Sequence, residues 1–221
     1  MGAATSGLFV TGTGTEVGKT VVASVLARTA AREGAEVRVF KPAVSGLDGG
    51  GESDHALLRR ASGSPQSDAE IAPYRFGPPL SPHLAAELAE ERIEPQQLRD
   101  AAAAAGRGAD LLVCEGVGGL LVPLTPDYLV RDLARELGHP AIVVAGPGLG
   151  TINHTLLTVE AARSADLEVA AVVLTPWPAE PGELERSNRE TIAALGSVPV
   201  AVLSELDLAD PGRWPALAIP G

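Results

Sequence analysis

The most informative stretch of the sequence reads Gly12-Thr13-Gly14-Thr15-Glu16-Val17-Gly18-Lys19-Thr20, and it lies between a short apolar run and a long Ala/Val/Leu-rich segment. This order predicts a strand, a glycine-rich loop and a helix. In such a loop the backbone N–H groups and the helix dipole converge on a phosphate chain, and the Gly-Lys-Thr ending binds the outer phosphates and Mg²⁺. The spacing departs from the usual pattern, because five residues separate Gly12 from Gly18 instead of about four. The alternative is a Gly/Thr-rich turn that only caps the helix.

Composition restricts the class of protein. Of the 221 residues 45% are hydrophobic and only 3% are aromatic, which favours parallel strands covered by helices and packed by Ala, Val, Leu and Ile. The formal net charge of -11 argues against nucleic acid and anionic membranes as partners, because both are polyanions. The single cysteine, Cys114, excludes an internal disulfide framework, and no secretory segment or apolar span of about 18 residues is found. We therefore expect small-molecule chemistry in a cytoplasmic protein.

The two lysines stand out among the basic residues. Of the 17 basic residues, all are arginine except Lys19 and Lys41. A compact ammonium approaches a single phosphate oxygen more closely than a planar guanidinium does, so both lysines are candidates for a functional role. The alternative for Lys41 is an ordinary surface lysine.

Strand and helix patterns alternate along the chain. They predict an α/β protein with a mostly parallel sheet flanked by helices on both faces, a single-domain P-loop NTPase-like fold over residues 1–221. The proline-rich residues 62–82 are expected to form a surface excursion or a lid outside the core, and the tail 204–221 allows no clear prediction. Predicted strands cover residues 7–11, 37–40, 110–115, 141–145, 169–174 and 200–203, and predicted helices cover residues 19–32, 55–61, 82–91, 95–105, 127–137, 152–163 and 183–195.

Two carboxylates are candidate metal ligands. Glu115 ends a buried-strand pattern, and ligands of doubly wound sheets sit at the carboxyl ends of strands. A carboxylate there is costly to bury unless it is paired or bound to a cation, although a solvent-facing Glu is the alternative. Asp54 is either the N-cap of a helix or a metal ligand, and the sequence leaves both open. With Thr20, nucleotide phosphates and water, the two carboxylates would suit Mg²⁺.

A second glycine-rich helix start reads Gly146-Pro147-Gly148-Leu149-Gly150-Thr151 and has no lysine. Its helix N–H groups, with Asn153 nearby, would suit a weaker anion such as a carboxylate. From spacing alone, a plain tight turn is at least as good an explanation.

Six motifs in a fixed order resemble the dethiobiotin synthetase family, over residues 7 to about 203. They are the loop at 12–20, Lys-Pro-x-x-Ser-Gly at 41–46, Asp54, Ser-Pro-His-Leu-Ala at 81–85, Glu-Gly-x-Gly-Gly-Leu at 115–120 and Gly-Thr-Ile-Asn-His at 150–154. The family's five-residue glycine loop accounts for the spacing of the first motif.

The resemblance implies a ligase of biotin synthesis. It carboxylates 7,8-diaminononanoate (7,8-diaminopelargonate) with CO₂ and closes a cyclic urea, using ATP or another nucleoside triphosphate and Mg²⁺. The carbamate formed first is a poor electrophile and must be phosphorylated to a carbamic-phosphoric anhydride, and positioned cations stabilise the transferred phosphoryl group.

The resemblance also assigns roles to individual residues. By similarity, the catalytic residues are Lys41, Lys19 and Thr15; the nucleotide contacts are Gly14, Thr15, Glu16, Val17, Gly18, Lys19, Thr20, Thr175, Pro176 and Trp177; the metal ligands are Thr20, Asp54 and Glu115; and the substrate contacts are Thr15, Lys41, Ser45, Gly118, Gly150 and Asn153. The family is a homodimer that receives the substrate carboxylate across its interface, so Gly150 and Asn153 would serve the partner subunit's site.

One position departs from the family pattern. Many members carry an Asn that contacts the adenine edge after the strand at 169–174, whereas this chain has Thr175-Pro176-Trp177-Pro178. A threonine hydroxyl and a proline-limited backbone cannot reproduce a bidentate amide contact to adenine. We therefore expect recognition to depend mostly on the triphosphate.

Other classes fit the sequence less well. A partitioning-type nucleotide-switch ATPase carries an additional lysine early in the loop, where this chain has Thr13. An amidase-coupled ligase needs a glutaminase domain with a catalytic cysteine, and Cys114 lies within a predicted buried strand. A catalytically inactive binding protein is the remaining alternative.

Overall fold

The computed structural model describes residues 6–219, in which strands and helices alternate. The strands are β1 (Ser6–Gly12), β2 (Val37–Phe40), β3 (Ala43–Val44), β4 (Tyr74–Arg75), β5 (Leu111–Gly119), β6 (Pro123–Thr125), β7 (Tyr128–Leu129), β8 (Ala141–Ala145), β9 (Val169–Trp177) and β10 (Val200–Ser204). The helices are α1 (Lys19–Arg32), α2 (Asp54–Ser62), α3 (Asp68–Ile71), α4 (Pro82–Leu88), α5 (Pro95–Gly106), α6 (Val130–Leu137), α7 (Thr151–Arg163) and α8 (Glu183–Gly196), and short 3₁₀ turns cover Leu47–Gly49 and Pro211–Arg213.

The central sheet has six strands in the order β10-β9-β8-β1-β5-β2, and each neighbouring pair is parallel. Successive residues of a strand point to opposite faces. Phe9 accordingly packs with residues of α5 and α6, while Val10 packs with residues of α1 and α2. This confirms the predicted α/β fold with a mostly parallel sheet flanked by helices on both faces.

Several predicted boundaries differ from the observed ones. The strand predicted at 110–115 continues to Gly119, because Gly119 still pairs with Gly12 of β1 beyond an irregularity. The strand predicted at 169–174 continues to Trp177, which pairs with Ser204 of β10 after a shift in register. The helix predicted at 127–137 begins at Val130, because the two residues of β7 pair with β6.

The prediction that residues 62–82 lie outside the core was wrong. Ile71, Tyr74 and Phe76 are buried in this segment, where they pack against the helices and strands around β2. Strand β2 is an edge of the sheet, and its backbone groups need partners. The buried amide of Gln66 supplies them, because Val39 N donates to Gln66 Oε1 at 2.9 Å and Gln66 Nε2 donates to Val39 O at 3.0 Å. The segment therefore completes the edge of the sheet.

The tail also belongs to the folded body, which the sequence did not predict. Trp214 and Leu217 are buried in the same cluster as α1 and α2. Arg32, at the end of α1, donates to Trp214 O at 2.7 Å and also to Gly212 O. The tail thus crosses α1 and is held there by side-chain to backbone hydrogen bonds.

None of the helices within residues 6–219 is long and apolar enough to span a membrane.

Candidate active site

The glycine-rich loop connects β1 to α1, as the sequence predicts. Gly18 is the N-cap of α1 with φ 91°, and a Cβ atom there would lie 2.8 Å from Thr175 Cγ2. This left-handed, crowded position explains why a glycine precedes the lysine. Lys19 is mostly buried and folds back over the loop, where its Nζ donates to Gly14 O at 2.7 Å. The interpretation as a turn that only caps the helix does not account for this buried ammonium.

Strand register brings Lys41 and Glu115 together. Phe40 of β2 lies opposite Cys114 of β5, so the next residues along the two parallel strands, Lys41 and Glu115, are also side by side. Lys41 is 3% exposed and Glu115 is 0% exposed. Lys41 Nζ lies 2.5 Å from Glu115 Oε1, which forms a buried ion pair. Neither Lys41 nor Glu115 faces the solvent, so the alternative interpretation of each as a surface residue was wrong.

Asp54 and Thr20 complete this cluster. Lys41 Nζ lies 2.8 Å from Asp54 Oδ2, and Thr20 Oγ1 donates to Glu115 Oε1 at 2.8 Å. Asp54 is the first residue of α2 and Ser53 is the N-cap, so the interpretation of Asp54 as an N-cap was wrong. The first turn of a helix still favours its negative charge.

Burial and charge act in opposite directions on the ionisable groups. Burial alone would lower the pKa of Lys41, but the Glu115 and Asp54 carboxylates outweigh it and raise this pKa. Burial likewise opposes ionisation of Asp54, but Lys41 outweighs it and lowers the pKa of Asp54. For Lys19 burial prevails over the attraction of Glu115 and lowers the pKa. Lys41 is therefore held as a buried ammonium between two carboxylates.

Glu115 has an unused acceptor. Its pKa is raised by burial, against the attraction of Lys41. Its Oε2 atom is buried and has no hydrogen-bond partner within residues 6–219. A buried carboxylate oxygen without a partner is costly, and a bound cation would remove that cost. The oxygens of Thr20, Asp54 and Glu115 form the hard donor set that a small divalent cation prefers.

A cavity of about 760 Å³ contains this cluster. Of the predicted site residues its lining includes Thr15, Glu16, Gly18, Lys19, Thr20, Lys41, Ser45, Asp54, Glu115 and Gly118. Gly118 has φ 61°, and a Cβ atom there would lie 2.7 Å from Val122 Cγ2 and 3.9 Å from Thr15 Cγ2. The Glu-Gly-x-Gly-Gly-Leu motif at 115–120 therefore adjoins the phosphate loop.

Seven of the predicted site residues do not line this cavity. All seven lie within the described residues 6–219. They are Gly14, Val17, Gly150, Asn153, Thr175, Pro176 and Trp177. Thr175 is buried against Gly18, and Trp177 packs against the apolar cluster of α7 and α8. Gly150 is the N-cap of α7 with φ 91°, and Asn153 is exposed in the first turn of that helix.

The sequence did not indicate several residues that line the cavity, among them Glu52 and Leu208. Glu52 follows three glycines in a loop without periodicity, and Leu208 lies in the tail. Only the fold brings these distant segments together. Of these two residues, only Glu52 could have been suspected from the sequence, because it lies two residues before the candidate metal ligand Asp54.

The fold and the site define a P-loop nucleotide-binding protein, with a phosphate loop, two buried lysines and a carboxylate pair in one cavity. Residues 6–210 match the family described as AAA domain. The sequence is 43% identical over 196 residues to the ATP-dependent dethiobiotin synthetase BioD of Bacillus cereus, with 88% of this chain and 81% of the relative covered. It is 44% identical over 209 residues to that of Anaeromyxobacter dehalogenans, with 94% of each chain covered. The chain belongs to the dethiobiotin synthetase family, as the six motifs predicted.

The fold also has a weak likeness to a solved structure of another protein. The kinase domain of Escherichia coli tyrosine kinase ETK has a TM-score of 0.49 and 20% identity, with 79% of this chain and 68% of that chain covered.

Proposed function

We propose that this protein is an ATP-dependent ligase of biotin biosynthesis, which converts 7,8-diaminononanoate and CO₂ to dethiobiotin. The observation that carries the proposal is that one cavity holds the phosphate loop, the buried Lys41 and the motif around Gly118. The similarity to dethiobiotin synthetases supports the ligase over a partitioning-type nucleotide-switch ATPase. We further propose that residues 1–221 form one domain and that the protein is cytoplasmic.

The reaction has three steps. One amine of the substrate adds to CO₂ and loses a proton, which gives a carbamate. A carbamate oxygen attacks the γ-phosphorus of ATP, ADP leaves, and a carbamic-phosphoric anhydride forms. The second amine then attacks the carbonyl carbon and loses a proton, phosphate leaves as hydrogen phosphate, and the cyclic urea closes.

Lys41 and Lys19 stabilise negative charge in the second step. Both ammonium groups are buried beside the phosphate loop, where electrostatic interactions are stronger than in water. Lys41 remains protonated because its two carboxylate partners raise its pKa. We assign Lys41 to the transferred phosphoryl group and the carbamate, and Lys19 to the outer phosphates.

The remaining lining residues orient the reactants. Thr15 and Ser45 offer hydroxyl groups to the carbamate and phosphate oxygens, and Gly118 lines the same cavity. Gly14, Glu16, Val17, Gly18 and Thr20 belong to the loop that carries the nucleotide phosphates. We assign the carbamate to the side of the loop that faces Gly118.

The residues of the site fit Mg²⁺. Thr20, Asp54 and Glu115 would hold the ion, and Glu115 Oε2 supplies an oxygen that has no other partner within residues 6–219. When bound, Mg²⁺ would neutralise charge on the nucleotide phosphates.

A product assay tests the proposed function. The protein is incubated with 7,8-diaminononanoate, bicarbonate, Mg²⁺ and ATP, and the cyclic urea is measured by mass spectrometry. We expect a product that contains one carbon from labelled bicarbonate and that requires the nucleotide. Failure to form it with any nucleoside triphosphate would refute the proposal.

We predict weak discrimination among nucleobases. Thr175 is buried against Gly18, so its hydroxyl does not replace the amide that many family members present to adenine. Backbone groups near Pro176 and Trp177 would then touch the base without a bidentate contact. In a competition binding assay, ATP, CTP and GTP should differ in affinity by less than about tenfold. A much larger preference for ATP would contradict this prediction.

We propose that the protein is a homodimer whose interface receives the substrate carboxylate. The N-terminal turn of α7 carries Gly150 and the exposed Asn153, and the neighbouring Leu149 is 92% exposed. Helix N–H groups favour a carboxylate, and an exposed leucine beside them suits a protein contact. Light scattering should give the mass of two chains, and Leu149→Asp should shift it towards one chain. A monomeric unmodified protein with full activity would contradict this proposal.

A further inference from the structure

Two distant segments of the chain meet at Arg60 of α2. Its Nε and Nη2 atoms donate to Glu52 Oε1 and Oε2 at 2.8 and 2.7 Å, which makes a two-pronged ion pair. Nη2 also donates to Leu208 O at 2.7 Å, and Nη1 donates to Ala209 O at 3.4 Å. One guanidinium therefore joins the loop before α2 to the C-terminal tail.

Both of these segments form part of the cavity wall. Glu52 and Leu208 line the cavity, together with Leu57 of α2 and Val21 of α1. Val21 directly follows Thr20 at the start of α1, so this wall adjoins the phosphate loop. Asp54, a proposed metal ligand, lies two residues after Glu52.

The rest of the tail is anchored independently of Arg60. Trp214 is buried, and its Nε1 atom donates to Asp207 O at 2.8 Å. Farther along, Leu217 N donates to Thr29 Oγ1 at 3.2 Å, and Arg32 holds the carbonyl of Trp214. Loss of Arg60 should therefore remove the link between Glu52 and Leu208 without detaching the tail.

We propose that Arg60 is a positioning residue for nucleotide binding, an inference that rests on the proposed function. It holds Glu52 and Leu208 together as the outer wall on the side of the cavity where α1 begins. The competing interpretation is an ordinary surface ion pair, because the side chains of Arg60 and Glu52 are 36% and 38% exposed. Surface ion pairs contribute little to the stability of a protein. The hydrogen bonds to the tail carbonyls, which a surface pair does not need, distinguish the two interpretations.

The test compares two neighbouring arginines. Arg60→Met keeps an apolar stem of similar length and removes the guanidinium, while Arg59→Met is the matched control. Arg59 pairs with Asp68 at 2.6 Å and is not part of the cavity lining. We expect Arg60→Met to raise the KM and the Kd for ATP about three- to tenfold, with kcat and the KM for the diamino acid unchanged. Arg59→Met should leave all four quantities unchanged.

Two further variants sharpen the result. Arg60→Lys keeps the charge with a single donor group and should recover part of the ATP affinity. Glu52→Gln should weaken ATP binding less when Arg60 is already methionine, because the two residues act as one unit.

Two outcomes would overturn the proposal. One is an ATP affinity for Arg60→Met equal to that for Arg59→Met. The other is an equal fall in kcat/KM for both substrates with a lower melting temperature, which would mark a purely structural residue. Direct measurement of ATP affinity needs no turnover, so failure of the proposed ligase activity would be seen separately in the unmodified protein.

Discussion

Replacing Lys41 with arginine is expected to lower turnover about a hundredfold to a thousandfold, the range for loss of one preorganised charge-stabilising donor. Arginine keeps the positive charge, so a change in turnover reports the geometry of the donor at position 41 rather than its charge. The Lys41 ammonium lies within 2.8 Å of two carboxylates, and Lys41 itself is only 3% exposed. A planar guanidinium is bulkier and presents its donors in a fork, so it cannot place one donor at the same point. The measurement is kcat for formation of the cyclic urea at saturating substrates.

The control for Lys41→Arg is the reverse exchange, arginine to lysine, at a nearby position. Arg38 lies in β2, pairs with Glu36 and does not line the cavity. Arg38→Lys should therefore leave kcat unchanged. Overpacking at the buried position costs about 1–3 kcal/mol, so the melting temperature of Lys41→Arg is measured as well, and turnover is assayed well below it. Activity near that of the unmodified protein would show that the ammonium at this position has no special role.

The sequence contains enough information to predict the centre of this site, because the relevant rules are local. Gly18-Lys19-Thr20 follows a strand and begins a helix, and Lys41 and Glu115 each end an apolar strand pattern. In a parallel sheet those ends share one edge. The predicted residues Thr20, Lys41, Asp54 and Glu115 accordingly lie together in the structure.

The surroundings of the site depend on contacts between distant segments, which no local pattern encodes. Prolines mark turns in residues 62–82, but they do not show that the edge strand β2 needs Gln66 as a hydrogen-bond partner. Lys41 N also donates to Ile71 O at 2.8 Å, so the same segment fixes the backbone of the proposed catalytic lysine. The tail likewise has no periodicity, yet Arg32 and Arg60 bind its carbonyls from two different helices.

Replacing Glu115 with glutamine is expected to lower turnover about a hundredfold or more while the fold remains intact. Glutamine keeps the size of the side chain and an oxygen that Thr20 and Lys41 can donate to. It removes the charge that would bind Mg²⁺ and hold Lys41 in position. Removing one partner of a buried ion pair is destabilising, although Lys41 keeps Asp54 as a second partner. The melting temperature should therefore fall by roughly 5–10 °C, and turnover is assayed well below it.

A separate readout for Glu115→Gln is the Mg²⁺ dependence of ATP affinity, measured without the diamino acid. We expect the variant to need a higher Mg²⁺ concentration to reach half of its maximal ATP affinity, because one of the proposed oxygen ligands has lost its charge. Glu136→Gln is the matched control, since Glu136 pairs with Arg99 at 2.7 Å outside the cavity lining. If Glu115→Gln retained both its turnover and its Mg²⁺ dependence, Glu115 would be a structural partner of Lys41 and Thr20 only. Loss of turnover with an unchanged Mg²⁺ dependence would instead assign its effect to the position of Lys41.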